Sequence, residues 1–126
     1  MNEREIKRGE IYHYDFGKPQ IPGLQGGYRH CVVVQNDIGN KYSPTTQIAP
    51  LTSQSKKYIP THVYVEKTKG NGLLKDSIIL CEQIQTVPKD KLRGALVGKL
   101  NEEEIKQLDE AISISFGLIW KSISYL

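Results

Sequence analysis

Residues 25–52 read QGGYRHCVVVQNDIGNKYSPTTQIAPLT, and their pattern decides the fold. Cys31–Val34 is apolar without polar alternation, the mark of a strand buried on both faces. A second strand follows at Thr46–Leu51, and the Asp37–Pro44 segment between the two reads as a loop because it holds Gly39 and Pro44. Ahead of the first strand, Gly26 and Gly27 allow close approach to the backbone, and Arg29 stands just behind them, anchored by the buried run. Thr52 closes the second strand. A guanidinium and a hydroxyl at strand ends beside glycines imply a site for a phosphate-like anion.

Working outward, the Cys31 strand is expected to run to Gln35, and β-branched and aromatic alternation predicts further short strands at Ile11–Phe16, His62–Val65, Ser77–Cys81 and Ala95–Lys99. Turn residues separate nearly all of them: the loop Gly17–Gly27 is rich in glycine and proline, and Lys69–Gly72 reads KGNG. These elements fit a compact, mostly antiparallel barrel. The tail differs in kind. Asn101 followed by Glu104 is a capping-box pattern, and Ile105, Leu108, Ile112, Phe116, Ile119 and Ile123 keep a helical period, so one helix is expected to cover the barrel. Gly117 would then sit inside that helix at a cost of about 1 kcal/mol, and Trp120 and Tyr125 near its end are expected to be core, with a dimer surface or an antitoxin groove as the alternative.

At 126 residues the chain fits one domain. Its apolar runs are far short of a membrane span, and the start MNEREIKRGE lacks the apolar core of a signal peptide, which makes the cytoplasm the expected compartment. Cys31 and Cys81 sit in apolar strands and read as buried thiols. The net charge is +3, and its distribution carries more than its size. Between Ile11 and Val65 there are five basic residues against Asp15 and Asp37, which is the whole excess, so polyanion binding is expected in the first half. There is no HExxH, no cysteine pair at metal spacing and no carboxylate cluster, and neither a metal nor another cofactor is expected.

Several irregular words, in order KRGEIY, QGGYRH, VVVQNDIGNKYSPT, APLTSQ, IPTHV and KDSIILCEQIQT followed by the closing helix, resemble the MazF/PemK family of toxin endoribonucleases over nearly the whole chain. The resemblance implies a mainly β fold with α, an SH3-like antiparallel β-barrel of the PemK/CcdB type with a C-terminal α-helix, forming a single toxin domain over residues 1–126. It also implies a homodimer, ribosome-independent cleavage of single-stranded RNA at short sequences, and neutralisation by a MazE-like antitoxin, with DNA reached at most through the antitoxin complex. Matched word by word, the family's catalytic arginine falls on Arg29 and its catalytic threonine on Thr52. Gln25, Gly26, Gly27 and Tyr28 belong to the same word, Ser53, Gln54 and Lys57 to the loop expected to close over RNA, and Gln83 to the word that reads bases in relatives. The chain departs from the family at Leu24, where an acid is usual, and at His30, where a proline is usual.

RNA carries its own nucleophile in the 2′-hydroxyl, so cleavage to a 2′,3′-cyclic phosphate and a 5′-hydroxyl asks the protein for positioning and charge stabilisation. Arg29 offers planar donors and Thr52 a hydroxyl. His30 neighbours Arg29, but adjacent strand residues point to opposite faces, so His30 is expected to face away from the substrate, and His13 is expected to be packing. Two other functions stay open at this point. One is a family member that binds RNA or antitoxin without cutting, motivated by Leu24 and His30. The other is a CcdB-like gyrase poison on the same barrel.

Overall fold

The computed structural model describes residues 5–54 and 56–120. Its strands are β1 (Glu10–Asp15), β2 (Tyr28–Val33), β3 (Thr45–Thr52), β4 (His62–Val65), β5 (Ser77–Leu80), β6 (Gln85–Pro88) and β7 (Leu96–Lys99), with helices α1 (Asp37–Tyr42) and α2 (Glu102–Ser115). All pairings are antiparallel, in the order β4-β5-β3-β2-β1-β7 with β6 also on β3. The sheet curls into a half-barrel whose edges are β4 and β7, and α2 packs on the face that carries Ile11, Val32, Ala49 and Ile79. The expected mainly antiparallel β architecture with a C-terminal helix is what forms.

The unbroken apolar run in β2 has a direct cause. Val32 joins Ile11, Ala49, Leu51 and Ile79 in the main core beneath Leu108 and Ala111 of α2, while Cys31 and Val33 face the opposite side against Tyr12, Ile48, Val87 and Leu92. The strand is buried on both faces, as the missing alternation predicts. Cys31 and Cys81 are buried, and burial pushes each thiol up to about 12. Native protein at pH 8 is therefore expected to leave a disulfide reagent unreacted, and denaturant to release both thiols. Because the folded value lies above the usual 9.0, the neutral thiols favour the fold below pH 9 and that contribution is lost as pH climbs from 9 towards 12. Unfolding measured against pH should show stability falling across that window.

Two elements depart from expectation. Asp37–Tyr42 is a short helix, N-capped by the Asn36 side chain accepting from Gly39 N, where a loop was expected. β6 is a strand that alternation did not reveal, because its four residues QTVP bury only Val87. The capping box at Asn101 and Glu104 is present in both directions, at 2.9 and 2.8 Å. The helix then stops earlier than its apolar period suggests. Gly117 takes φ +75, and the amides of Gly117 and Leu118 bond back to Ile114 O and Ser113 O, a left-handed termination that only glycine accepts without strain. Gly117 is thus the stop signal and not an interior residue. Phe116, Ile119 and Trp120 are exposed, Trp120 by 86%, which overturns the expectation of core. Ile123 and Tyr125 lie outside the described residues.

The KGNG segment is more than a turn. Asn71, 1% exposed, accepts from the amides of Thr68 and Leu73 and donates to Glu66 O. Beside it the backbone lies flat on β7: a Cβ on Gly98 would meet the Asn71 carbonyl oxygen at 2.5 Å, and one on Gly72 would meet Val97 O at 2.4 Å. Close backbone contact of this kind requires glycine on both sides. The segment sets the position of the following Leu74 and Lys75. Among the described residues no helix is long and apolar enough to cross a membrane.

Candidate active site

The site lies where two strands part. β2 pairs with β3 from Val33 to Cys31, opposite Ile48 to Pro50, and the ladder ends there. Pro50 has no N–H to give, and beyond it Leu51 and Thr52 continue along β5 opposite Ile79 and Ile78. Tyr28, Arg29 and His30 stay on β1, opposite Asp15, Tyr14 and His13. The gap is a cavity of about 300 Å³ lined by His13, Tyr28, Arg29, His30, Leu51 and Ser53, with Leu74, Lys75 and Ser77 closing the far wall.

Arg29 spans the fork. Its Nε donates to Gly26 O at 2.9 Å and its Nη1 to Leu51 O at 3.3 Å, which brings the guanidinium against the backbone of the residue preceding Thr52. Continued two residues past Cys31 and Pro50, the β2–β3 register would set Arg29 opposite Thr52. Among the described residues no carboxylate pairs with Arg29. Its braces are neutral carbonyls, so the orientation of the fork is fixed while its charge stays unneutralised and three of its five N–H groups remain to be used.

The glycines fix this brace. Gly27 takes φ +79 and donates to Gly17 O at 2.8 Å, closing the long loop on itself. A Cβ on Gly26 would meet the Pro19 ring at 2.5 Å, so only glycine lets the chain turn with its carbonyl towards Arg29. Gln83 holds the same loop from outside, accepting from Gln25 N at 3.0 Å and donating to Gly23 O at 3.0 Å. Both ends of its amide are engaged. Gln83→Ala should release the loop, at about 1 kcal/mol per lost bond, and limited proteolysis should then cut within 17–27 faster than in the parent.

Thr52 is 3% exposed, and its hydroxyl accepts from Gln54 N at 3.2 Å. Ser53 lines the cavity, whereas Gln54 lines a neighbouring one of about 340 Å³ with Tyr64, Glu66 and Asp76. The two cavities adjoin at Ser53 and Ser77, which line both. Lys57 is exposed and lines neither. Of the residues singled out in the sequence, the cavity thus gathers Tyr28, Arg29 and Ser53, with Gly26 bonded to Arg29 and Thr52 next in the chain to Leu51, while Gln25, Gly27, Gln54, Lys57 and Gln83 do not line it.

Three lining residues escape sequence reasoning. His30 was expected to face away from Arg29, yet both reach the cavity, because β2 has lost its β3 neighbour there and the open strand edge exposes both faces. His13 joins it through the register His13↔His30, a pairing that a β1–β2 hairpin alignment would have indicated. Lys75 supplies a second cation from the half of the chain whose charges balance, so charge counting by segment could not place it. Burial, and then the neighbouring His13, hold the His30 imidazole below its ordinary value, which favours the neutral ring. Among the described residues no group of three or more His, Cys, Asp or Glu side chains could hold a metal ion.

Comparison with known proteins identifies the family and the fold. Residues 7–116 match the family described as PemK-like, MazF-like toxin of type II toxin-antitoxin system. Endoribonuclease EndoA of Bacillus subtilis (strain 168) is 43% identical over 115 residues, covering 90% of this chain and 97% of that protein. The Mycobacterium tuberculosis toxin MazF-mt6 superposes with a TM-score of 0.70 at 25% identity, covering 88% of this chain and 99% of its own. A mycobacterial endoribonuclease in complex with its cognate antitoxin has the same fold, with a TM-score of 0.74 at 23% identity over 92% of this chain and 99% of its own.

Proposed function

Because the chain belongs to the PemK-like, MazF-like toxin family of type II toxin–antitoxin systems, we propose that it is an endoribonuclease that cuts single-stranded RNA at short sequences, independently of the ribosome. The observation that carries this reading is Arg29, a guanidinium fixed by two backbone carbonyls at the mouth of a cavity and paired with no carboxylate among the described residues. Such a group is built to receive an anion.

In this mechanism the substrate's 2′-hydroxyl oxygen attacks the adjacent phosphorus and the P–O5′ bond breaks. The products are a 2′,3′-cyclic phosphate and a 5′-hydroxyl that carries away a proton. The nucleophile comes from the RNA, so the reaction is proposed to need no metal. The unused N–H groups of Arg29 stabilise charge that grows on the non-bridging oxygens. Thr52, its oxygen already held by Gln54 N, donates its hydroxyl proton to the same group once the segment after it lifts. Tyr28, Ser53, Gln54 and Lys57 contact the flanking nucleotides, while Gln25, Gly26, Gly27 and Gln83 keep the loop in place. The chain acts as one toxin domain in a homodimer in the cytoplasm, restrained by a MazE-like antitoxin, and it meets DNA at most through that complex.

Incubation with a long single-stranded RNA in EDTA tests this reading. Discrete cuts bearing 5′-hydroxyl ends are expected. Burial of the Thr52 hydroxyl favours a second reading, a member that binds RNA without cutting, and intact RNA with a retained gel shift would establish it.

A further inference from the structure

Next to Arg29 stands a run of rings, of which the mechanism gives a role to Tyr28 alone, as a contact to a flanking nucleotide. His13 faces His30 across the β1–β2 ladder, and Tyr28 lies two residues from His30 on the same strand face. The His13 and Tyr28 rings are parallel to within 4° with centroids 5.1 Å apart, and the His13 and His30 centroids are 4.5 Å apart at a tilt of 37°. We propose that His13, Tyr28 and His30 form a nucleobase-stacking subsite that takes the base flanking the phosphate gripped by Arg29, so that these rings set affinity and base preference around the cut.

Three observations carry this. The rings line the same cavity as Arg29, whose volume of about 300 Å³ leaves room for a planar base. Tyr28 has one face on His13 and is still 68% exposed, so its other face is open to a further ring. None of the three belongs to either apolar core cluster, and His13 Nδ1 is buried without a partner among the described residues. Burial beside His13 favours a neutral His30, which suits the π-face of a base better than a phosphate.

The proposal rests on the reading of Arg29 as the phosphate grip, and its test is independent of cutting. The probe is an oligoribonucleotide library carrying 2-aminopurine, with every 2′ oxygen methylated so that no strand can be cleaved. The parent is expected to bind it and quench the fluorescence. Tyr28→Ala and His13→Ala should weaken binding by about 5- to 150-fold and abolish the quench, as loss of one to three kcal/mol of stacking would. Tyr28→Phe and His13→Phe, which keep the rings, should behave as the parent and show that lost side-chain polarity is not the cause. Alanine variants that unfold at the parental temperature and still bind and quench normally would overturn the subsite. If the parent also cuts unmodified RNA, that result leaves the nuclease standing. Ring-dependent quenching by a parent that does not cut would uphold the subsite and sink the nuclease.

Discussion

Arg29→Ala is expected to lower kcat/KM for RNA cleavage by about 10²- to 10³-fold, the loss of about 2.7–4 kcal/mol seen when one preorganised transition-state donor is removed. The size of the effect follows from how the side chain is held. Two carbonyls, Gly26 O and Leu51 O, fix the plane of the guanidinium before substrate arrives, so little reorganisation accompanies the growth of charge. Arg29→Lys keeps the charge but can neither fork nor satisfy both carbonyls, so it should recover only a small part of the activity. The variant should stay folded, because the change removes two partly buried hydrogen bonds worth about 0.5–1.5 kcal/mol each and leaves the apolar clusters untouched. Single-turnover cleavage of a mapped RNA, with a melting curve on the same sample, separates the two effects. Parental rates in Arg29→Ala would end the proposed mechanism.

The largest effect on stability is expected at Asn71, a residue with no role in chemistry. Asn71→Leu leaves the amides of Thr68 and Leu73 and the carbonyl of Glu66 without their partner, and each such group costs about 1–3 kcal/mol if it stays buried, for a total of about 3 kcal/mol or more. Native proteins have only about 5–15 kcal/mol to lose, so the midpoint of urea unfolding should fall sharply. The segment also sets the far wall of the Arg29 cavity through Leu74 and Lys75. A variant that folds at low temperature should therefore bind RNA more weakly than the parent. An unchanged urea midpoint would show that water replaces all three bonds.

Asn71 also marks where sequence reading stops. KGNG announces a turn by composition, but the bonds that turn makes depend on Glu66 and on the flat approach to Val97 and Gly98, which lie across the fold. The buried run Cys31–Val34, the capping box at Asn101 and the pairing of Arg29 with the Thr52 segment were legible because each rests on local pattern or on the family word that contains it. α1 was hidden by Gly39, whose amide serves the Asn36 cap, and β6 by its single buried side chain, because it is held by β3 and not by its own alternation. The apolar period of the last helix runs past Gly117, and only the backbone turn there reveals which of those residues leave the core. His30 was placed wrongly for a reason that sequence could not contain: face alternation identifies a strand's two sides, not the point at which a neighbouring strand departs.

That departure has a mechanical consequence. β3 is bound into both leaves of the half-barrel, with β2 and β6 over one part and β5 over the other, and Pro50 is the spine at which they open. The aperture before Arg29 is set by the angle between the leaves. The two walls of that aperture therefore belong to different leaves, Tyr28, Arg29 and His30 to one and Ser77 to the other, and strand pairing joins them only along β3.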